Sequence, residues 1–220
     1  VWTSLVNRES LSGDWGYYPV GAHVYANGDL LVSFQGRGIF PFAMGMAKFD
    51  KDSNLLWETS EYIHHWFSVD DSGNIYVPGL IEANPEMPLE ERNKTLVCDR
   101  GNFYYDSILV LDGAGNKVRE IDMIEVLLES DLAGLISNDH NDQKTLQTCD
   151  PTHLNDVQVL SAEQAQYFPA FAAGDLLLSF RALNTIAVLD AKTDRIKWHQ
   201  TGFSNQQHSP PYHNDNKILL

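Results

Sequence analysis

Short apolar runs alternate along the chain with turns rich in Asp, Asn and Gly. One series of runs opens at Gly28, Gly73, Gly174 and Asp215. A second series ends in Asp, and a polar turn and a closing strand follow each of its runs. The runs of this second series are residues 46–50, 107–112 and 186–190, and the closing strands are residues 55–58, 117–120 and 195–198. Because Asp, Asn and Gly form tight hairpin turns, each unit is predicted to be a four-stranded antiparallel meander.

The spacing of the units predicts a β-propeller. The intervals from Gly28 to Gly73 and from Gly174 to Asp215 are close to the roughly 40 to 50 residues of a propeller blade. We therefore predict an all-β fold of four-stranded antiparallel blades, with residues 1–220 as a single domain in which about four blades are visible. Because ring closure removes exposed strand edges, we expect this sequence to be an incomplete propeller. A closed four-bladed ring, with its last strand near Trp2, is the alternative.

The interval between Gly73 and Gly174 is too long for one blade and predicts two insertions, near residues 82–106 and 121–172. The first contains a loop rich in Pro and Glu over residues 82–93. The second contains a predicted helix near residues 121–135 and a shorter helix that opens at Ser161, where Gln164 completes a capping box. The apolar stripe of the longer helix comprises Met123, Ile124, Leu127, Leu128 and Leu132.

The net charge and the lengths of the apolar runs limit which molecules the chain is expected to bind. The net charge of -15 argues against binding to nucleic acid, which depends on clustered Lys and Arg. No apolar run reaches the length of a membrane span. An anionic small molecule can still bind if His and Arg reverse the local field in one pocket. Cys98 lies in the first insertion and Cys149 in the second, and the sequence fits either one disulfide or two structural thiols.

A histidine stands just upstream of the turn in each repeat, and these residues are the candidate chemistry. They are His23, the pair His64 and His65, His153 and His208. If the repeats surround an axis, their imidazoles meet at a common centre. Because side chains alternate along a strand, we expect one member of the adjacent pair to enter the site, and we favour His65.

Three further elements carry a resemblance to a known family. They are His153-Leu154-Asn155-Asp156, Ser179-Phe180-Arg181 and Gln207-His208, and the histidine pair before residues 71–74 is similar to an earlier element of the same family. Together they closely resemble the arylsulfotransferase family over most of the chain. The resemblance implies a six-bladed propeller in the periplasm or outside the cell. It also implies transfer of a sulfuryl group from an aryl sulfate to a phenol, without a nucleotide sulfate donor or other cofactor.

The resemblance also implies roles for individual residues. His208 matches the nucleophile that becomes sulfated, and His153, Arg181 and His65 match its catalytic partners. We expect His64 and Asn155 to contact the substrate. These residue types suit the chemistry, because positioned cations and N–H donors stabilise the negative charge that spreads over a transferred sulfuryl group. The family commonly has an acidic residue after its nucleophile, whereas Ser209 stands here, so His208 would be supported differently or be less active.

Two other classes of function fit the same pattern. Imidazoles from separate blades could bind zinc in a propeller lyase or hydrolase, although we expect no metal ligands. Alternatively, the ring could be a noncatalytic module whose acidic surface binds a partner. The sequence leaves self-association into a homo-oligomer open.

Overall fold

A computed structural model describes residues 17–36, 43–83, 86–89, 94–97, 102–136 and 148–219. The first sheet is an antiparallel meander whose strands pair in chain order. Its strands are β1 (Tyr17–Val24), β2 (Leu30–Gly36), β3 (Ala43–Phe49) and β4 (Leu55–Thr59). The second sheet begins with β5 (Ser68–Val69) and β6 (Ile75–Ala83), is interrupted by a hairpin of β7 (Glu86–Leu89) and β8 (Lys94–Val97), and continues with β9 (Asn102–Leu111) and β10 (Lys117–Asp122).

The same meander recurs in the last part of the chain. A short strand, β11 (Thr148–Cys149), adds to β9 in parallel. The third sheet then contains β12 (Leu154–Val159), β13 (Leu176–Phe180), β14 (Thr185–Leu189) and β15 (Ile196–Thr201), again in chain order. β16 (Tyr212–His213) and β17 (Lys217–Ile218) pair as the start of a further unit. The predicted class is therefore confirmed, as an all-β chain of repeated four-stranded antiparallel blades.

The first predicted insertion differs from the structure. The strand β6 continues through Glu82 to Ala83, and it pairs with β9 from Ile75 opposite Leu111 to Ala83 opposite Phe103. The prediction of a loop from Glu82 was therefore wrong at its start, and residues 86–89 form a strand as well. Pro88 is compatible with this strand because it belongs to a separate two-stranded hairpin, where a missing N–H is tolerated.

The predicted helices are present but shorter than the sequence suggested. Helix α1 (Met123–Glu129) begins where Asp122 accepts hydrogen bonds from two backbone N–H groups, and a separate 3₁₀ turn follows at Ala133–Leu135. The first residues of the predicted helix instead end β10. Helix α2 (Ala162–Ala165) is capped by Ser161, whose side chain accepts from the Gln164 N–H, as the capping box predicts. No helix in the described ranges has the length and apolar character of a membrane span.

Apolar side chains from neighbouring sheets pack face to face and form the core. Between the first and second sheets they are Leu31, Met46, Ile63, Ile75, Val77, Leu109 and Leu111, with Trp57 against them. The Trp57 indole N–H also donates to the Gly113 carbonyl oxygen at 3.1 Å, across the two sheets. Helix α1 packs into a second core between the second and third sheets, with Ile108, Val157 and Leu178. Packing between blades thus explains Trp57 without any contact to a ligand.

The first strands of successive sheets lie side by side. The Val159 N–H on β12 donates to the Ser68 hydroxyl on β5 at 3.0 Å. Turns and loops at one end of the sheets come together, and His64, His65, His153 and His208 lie in these segments, whereas His23 lies on β1. This arrangement brings residues that are far apart in sequence into one site.

Candidate functional site

Three of the predicted histidines lie together where the sheets meet. The ring centroid of His65 is 5.2 Å from that of His153 and 6.2 Å from that of His208. Arg181 follows β13, and its Nη2 donates to Gln206 Oε1 at 2.7 Å, two residues before His208. The structure therefore brings all four predicted catalytic residues to one place.

The backbone at this place is left-handed at several residues that are not glycine. His65 has φ 60° and His153 has φ 48°, and Gln206 and Ser209 have φ 52° and 47°. Such conformations cost energy for L residues and concentrate at functional sites. They also make the argument from strand alternation wrong for the histidine pair, because His65 does not lie on a regular strand.

The two adjacent histidines therefore contact each other. Their Nδ1 atoms are 2.6 Å apart. His65 is half-buried and faces the rings of His153 and His208, whereas His64 is only 4% exposed and lies behind it. As predicted, His65 is the member of the pair that faces the other site residues, although alternation is not the reason.

His208 is exposed, and its hydrogen bond defines its tautomer. Its Nδ1 lies 3.1 Å from the Gln206 carbonyl oxygen, which can only accept, so Nδ1 carries the proton and Nε2 presents a lone pair. Partial burial lowers the pKa of His208, and the charges of Arg181 and His153 lower it further. The hydrogen bond to Gln206 raises this pKa, but the net direction is downward. The ring is thus neutral near pH 7. The Gln206 carbonyl orients the imidazole here, and the Ser209 hydroxyl has no hydrogen bond to any residue that the structure describes.

His153 has the opposite electrostatic environment, because Asp150 contacts it. The His153 Nδ1 is 2.5 Å from Asp150 Oδ2, and the His153 backbone N–H donates to Asp150 Oδ1 at 3.0 Å. Burial lowers the pKa of His153, but the Asp150 carboxylate outweighs it, and the net direction is upward. Burial raises the pKa of Asp150, but the contact with His153 lowers it, and the net direction is downward. The two groups therefore form a half-buried ion pair, in which Nε2 of the imidazolium is the nitrogen that can donate a proton to a substrate.

Residues of the first sheet hold His65. The Ser33 hydroxyl donates to the His65 carbonyl oxygen at 2.9 Å, and Gln35 Nε2 is 3.3 Å from His65 Nδ1. Burial lowers the pKa of His65 well below its usual range, and the charges of His64, His153, His208 and Arg181 lower it further. His65 is therefore a neutral ring near pH 7.

A second carboxylate lies deeper, behind the histidines. Asp106 on β9 is fully buried; its Oδ2 accepts from the Thr152 hydroxyl and from the Leu154 N–H. Its Oδ1 is 3.4 Å from His64 Nε2. Burial raises the pKa of Asp106, and the charge of Asp150 raises it further, while His64 acts in the opposite direction.

Asn155 anchors the loop that bears His208. Its Nδ2 donates to the Gln207 carbonyl oxygen at 2.8 Å, and the Gln207 side chain donates to the Thr185 carbonyl oxygen at 3.0 Å. Asn155 has no exposed surface. Contact with the substrate stays a prediction for Asn155 and for His64, and their burial favours a supporting role for both.

Sequence reasoning missed three residues of this site, namely Gln35, Asp106 and Asp150. Asp150 stands three residues before His153, a spacing that could have indicated it. The other two come from different sheets, and no local pattern marks them. In the described part of the chain, no three or more His, Cys, Asp or Glu side chains are grouped to hold a metal ion, so the geometry there does not favour the zinc hypothesis. The side chains of Cys98 and Cys149 lie outside the described residues, and their disulfide stays a prediction.

Repeated antiparallel blades and a histidine and arginine cluster at their junction define a propeller-type protein with a candidate anion-transfer site. The model of the arylsulfotransferase (ASST) family matches residues 22–218, which is most of the chain. The chain belongs to this family, as its motifs predicted. No curated protein matches the sequence.

The solved structures that resemble the chain include the following two. One is a protein of unknown function from Bacteroides caccae, with a TM-score of 0.42 and 12% identity over 84% of this chain and 47% of that one. The other is a catalytically inactive variant of virginiamycin B lyase from Staphylococcus aureus, determined with quinupristin. Its TM-score is 0.44, with 10% identity over 86% of this chain and 43% of that one. This chain thus spans less than half the length of either structure.

Proposed function

We propose that the chain transfers a sulfuryl group from an aryl sulfate to a phenolic acceptor through a covalent intermediate on His208. One observation carries the proposal. The exposed His208 ring donates from Nδ1 to Gln206, so its Nε2 lone pair is available beside the His65 ring. Membership of the arylsulfotransferase family supports sulfuryl transfer as the class of reaction.

In the first half-reaction, His208 Nε2 attacks the sulfur atom and the bond from sulfur to the aryl oxygen breaks. The electron pair of that bond moves to the aryl oxygen, and His153 Nε2 donates a proton to it. His153 suits this step because Asp150 holds its Nδ1 and favours the protonated ring. The products are a neutral phenol and N-sulfo His208, whose ring keeps the Nδ1 hydrogen bond to Gln206.

Arg181 and His65 would stabilise the sulfuryl group in flight. Arg181 uses Nη2 for Gln206 and has further N–H donors in a planar fork. His65 is neutral and has one ring nitrogen directed away from Gln35 and His64. Preorganised donors of this kind lower the barrier because negative charge spreads over the nonbridging oxygens in the transition state.

The second half-reaction reverses these roles. The phenolic oxygen of the acceptor attacks the sulfur atom, and the bond from sulfur to His208 Nε2 breaks. The electron pair returns to Nε2, while the now neutral His153 takes the phenolic proton. Because one site serves both halves, the kinetics should be ping-pong.

The test is to incubate the protein with an aryl sulfate and no acceptor. We expect a burst of released phenol and a sulfuryl adduct that peptide mass spectrometry locates on His208. His208→Ala should lose both signals. His199→Ala is the matched control, because His199 is an exposed histidine on β15 whose described polar partner is Thr201. No adduct and no phenol release in the unsubstituted protein would contradict the proposal and would favour a noncatalytic module.

We also propose a periplasmic or secreted location. The family resemblance supports it, and a reaction without a nucleotide donor needs no cytoplasmic supply of one. Cell fractionation with an antibody to the chain tests this, and recovery in the cytoplasmic fraction alone would refute it.

A further inference from the structure

A buried carboxylate behind His65 takes no part in the proposed reaction. Asp106 accepts hydrogen bonds at Oδ2 from Thr152 and from the Leu154 N–H, at 2.8 Å for the latter. Its Oδ1 lies 3.4 Å from His64 Nε2 and makes no shorter hydrogen bond to the residues that the structure describes. Of these polar neighbours only His64 can carry a positive charge. Since an unpaired carboxylate in the interior is costly, His64 is the neighbour that could neutralise an ionised Asp106.

The contact between His64 and His65 continues this chain towards the site. Ring nitrogens 2.6 Å apart need one proton between them, so one Nδ1 donates and the other accepts. Gln35 decides which. Its Nε2 lies 3.3 Å from His65 Nδ1, and its Oε1 accepts from the Tyr18 hydroxyl at 3.2 Å. An amide nitrogen only donates, so His65 Nδ1 is the acceptor and His64 Nδ1 is the donor.

The positions of the protons on the remaining nitrogens follow from the same donors and acceptors. Because His65 Nδ1 accepts, the proton of this neutral ring is on Nε2. His64 donates from Nδ1, while its Nε2 faces Asp106 Oδ1 and the Gly79 carbonyl oxygen, both at 3.4 Å. Both atoms are acceptors when the carboxylate is ionised. An ionised Asp106 therefore requires a second proton on His64 Nε2, and the two groups then form a buried ion pair, although burial and the Asp150 charge raise the pKa of Asp106.

We propose that Asp106 and His64 are positioning residues: their ion pair holds His65 as the neutral Nε2–H tautomer and strengthens that N–H as a donor to the sulfuryl oxygens. The binding of sulfuryl oxygens by the His65 N–H rests on the proposed function, whereas the tautomer of His65 does not. The charged or titratable groups that act on His65 are His64, His153, His208 and Arg181. Those that act on Asp106 are Asp150 and His64.

The test combines nitrogen NMR of the histidine-labelled protein with kinetics. In the unsubstituted protein near pH 7, we expect His65 protonated at Nε2 alone and His64 protonated at both nitrogens. Asp106→Asn keeps one oxygen for Thr152 and Leu154 but removes the negative charge, so His64 should become neutral. Because a hydrogen bond from a charged donor is stronger than one from a neutral donor, we expect kcat to fall about tenfold with little change in KM.

Asp156→Asn is the matched control. Asp156 is also a buried carboxylate, but its described side-chain partner is Gln158. This substitution should leave the His64 and His65 signals and kcat unchanged. If Asp106→Asn does not fold, the spectrum of the unsubstituted protein still decides, since a proton on His65 Nδ1 or a neutral His64 overturns the inference. A neutral His64 in the variant with unchanged kcat also overturns it. The NMR result stands even if the protein transfers no sulfuryl group, so the two failures are distinguishable.

Discussion

Replacing Asp150 with Asn should separate the acid role of His153 from its position. Asn has nearly the volume of Asp and can still accept the His153 backbone N–H, which now donates to Asp150 Oδ1 at 3.0 Å. The substitution removes the charge that lies 2.5 Å from His153 Nδ1. Burial, which is the largest effect and lowers the pKa of His153, would then be opposed by the smaller effect of the Asp106 charge. His153 should become neutral at a lower pH.

The size of the effect follows from the bond that is lost. A hydrogen bond to a charged group contributes about 1.5–3 kcal/mol, and about 1.4 kcal/mol corresponds to a factor of ten in rate. We therefore expect kcat/KM to fall roughly 10- to 100-fold for aryl sulfates whose phenol is a poor leaving group. The loss should be smaller when the leaving phenolate is stable without a proton.

The assay is kcat/KM against pH for a series of aryl sulfates with graded leaving groups. Asp150→Asn should move the alkaline limb to lower pH and steepen the dependence on the leaving group. Asp156→Asn is again the control and should change neither. If Asp150→Asn leaves both the alkaline limb and the leaving-group dependence as they were, His153 is not the acid.

The pH dependence of stability gives a second measurement. The raised pKa of His153 contributes stability below about pH 6.5, and this stability is lost as the pH rises through the pKa of His153 in the folded protein. The lowered pKa of Asp150 contributes stability above about pH 3.8, and this stability is lost as the pH falls through the pKa of Asp150 in the folded protein.

Three further predictions concern the blades, a buried acid and the arginine. Gly115→Ala should destabilise the fold by about 2–4 kcal/mol in denaturant melts, because φ is +83° and a Cβ would lie 2.6 Å from the Trp57 ring. Gly73→Ala shares the positive φ but has open space, so a cost equal to that of Gly115→Ala would refute the packing argument. Burial raises the pKa of Asp156 to about 7, so the ionised carboxylate costs stability that grows as pH rises from about 3.8 through 7. Asp156→Asn should therefore stabilise the protein by a few kcal/mol at pH 8 and by little at pH 4, and an equal effect at both would contradict this. Arg181→Lys should lower kcat about tenfold, because a lysine keeps the charge but loses the planar fork; an unchanged kcat would exclude a fork-like contact.

The strands were predictable where local chemistry sets them. In the turns that begin at Asp50, Asp70 and Asp112, the carboxylate accepts two backbone N–H groups and the side-chain amide of the Asn four residues later. Such turns depend on five consecutive residues, and a sequence displays them directly. The extension of β6 to Ala83 was missed because it depends on pairing with β9, about twenty residues further along the chain.

The site was predictable only in part for the same reason. The repeat marked His65, His153 and His208, and the family motif marked Arg181, because each lies in a recognisable local segment. Gln35 and Asp106 have no such mark. They belong to other sheets and reach the histidines only when the sheets pack against each other.

The amino-acid order alone determined that this chain forms repeated antiparallel blades and which histidines are candidates for chemistry. Turn geometry and strand alternation act over a few residues, and for that reason they can be recognised in the sequence. The tertiary structure alone decided the charge and tautomer of each ring. A neutral His208 against Gln206 and a charged His153 against Asp150 differ in the groups that surround them, and those groups are fixed by packing, burial and backbone conformation.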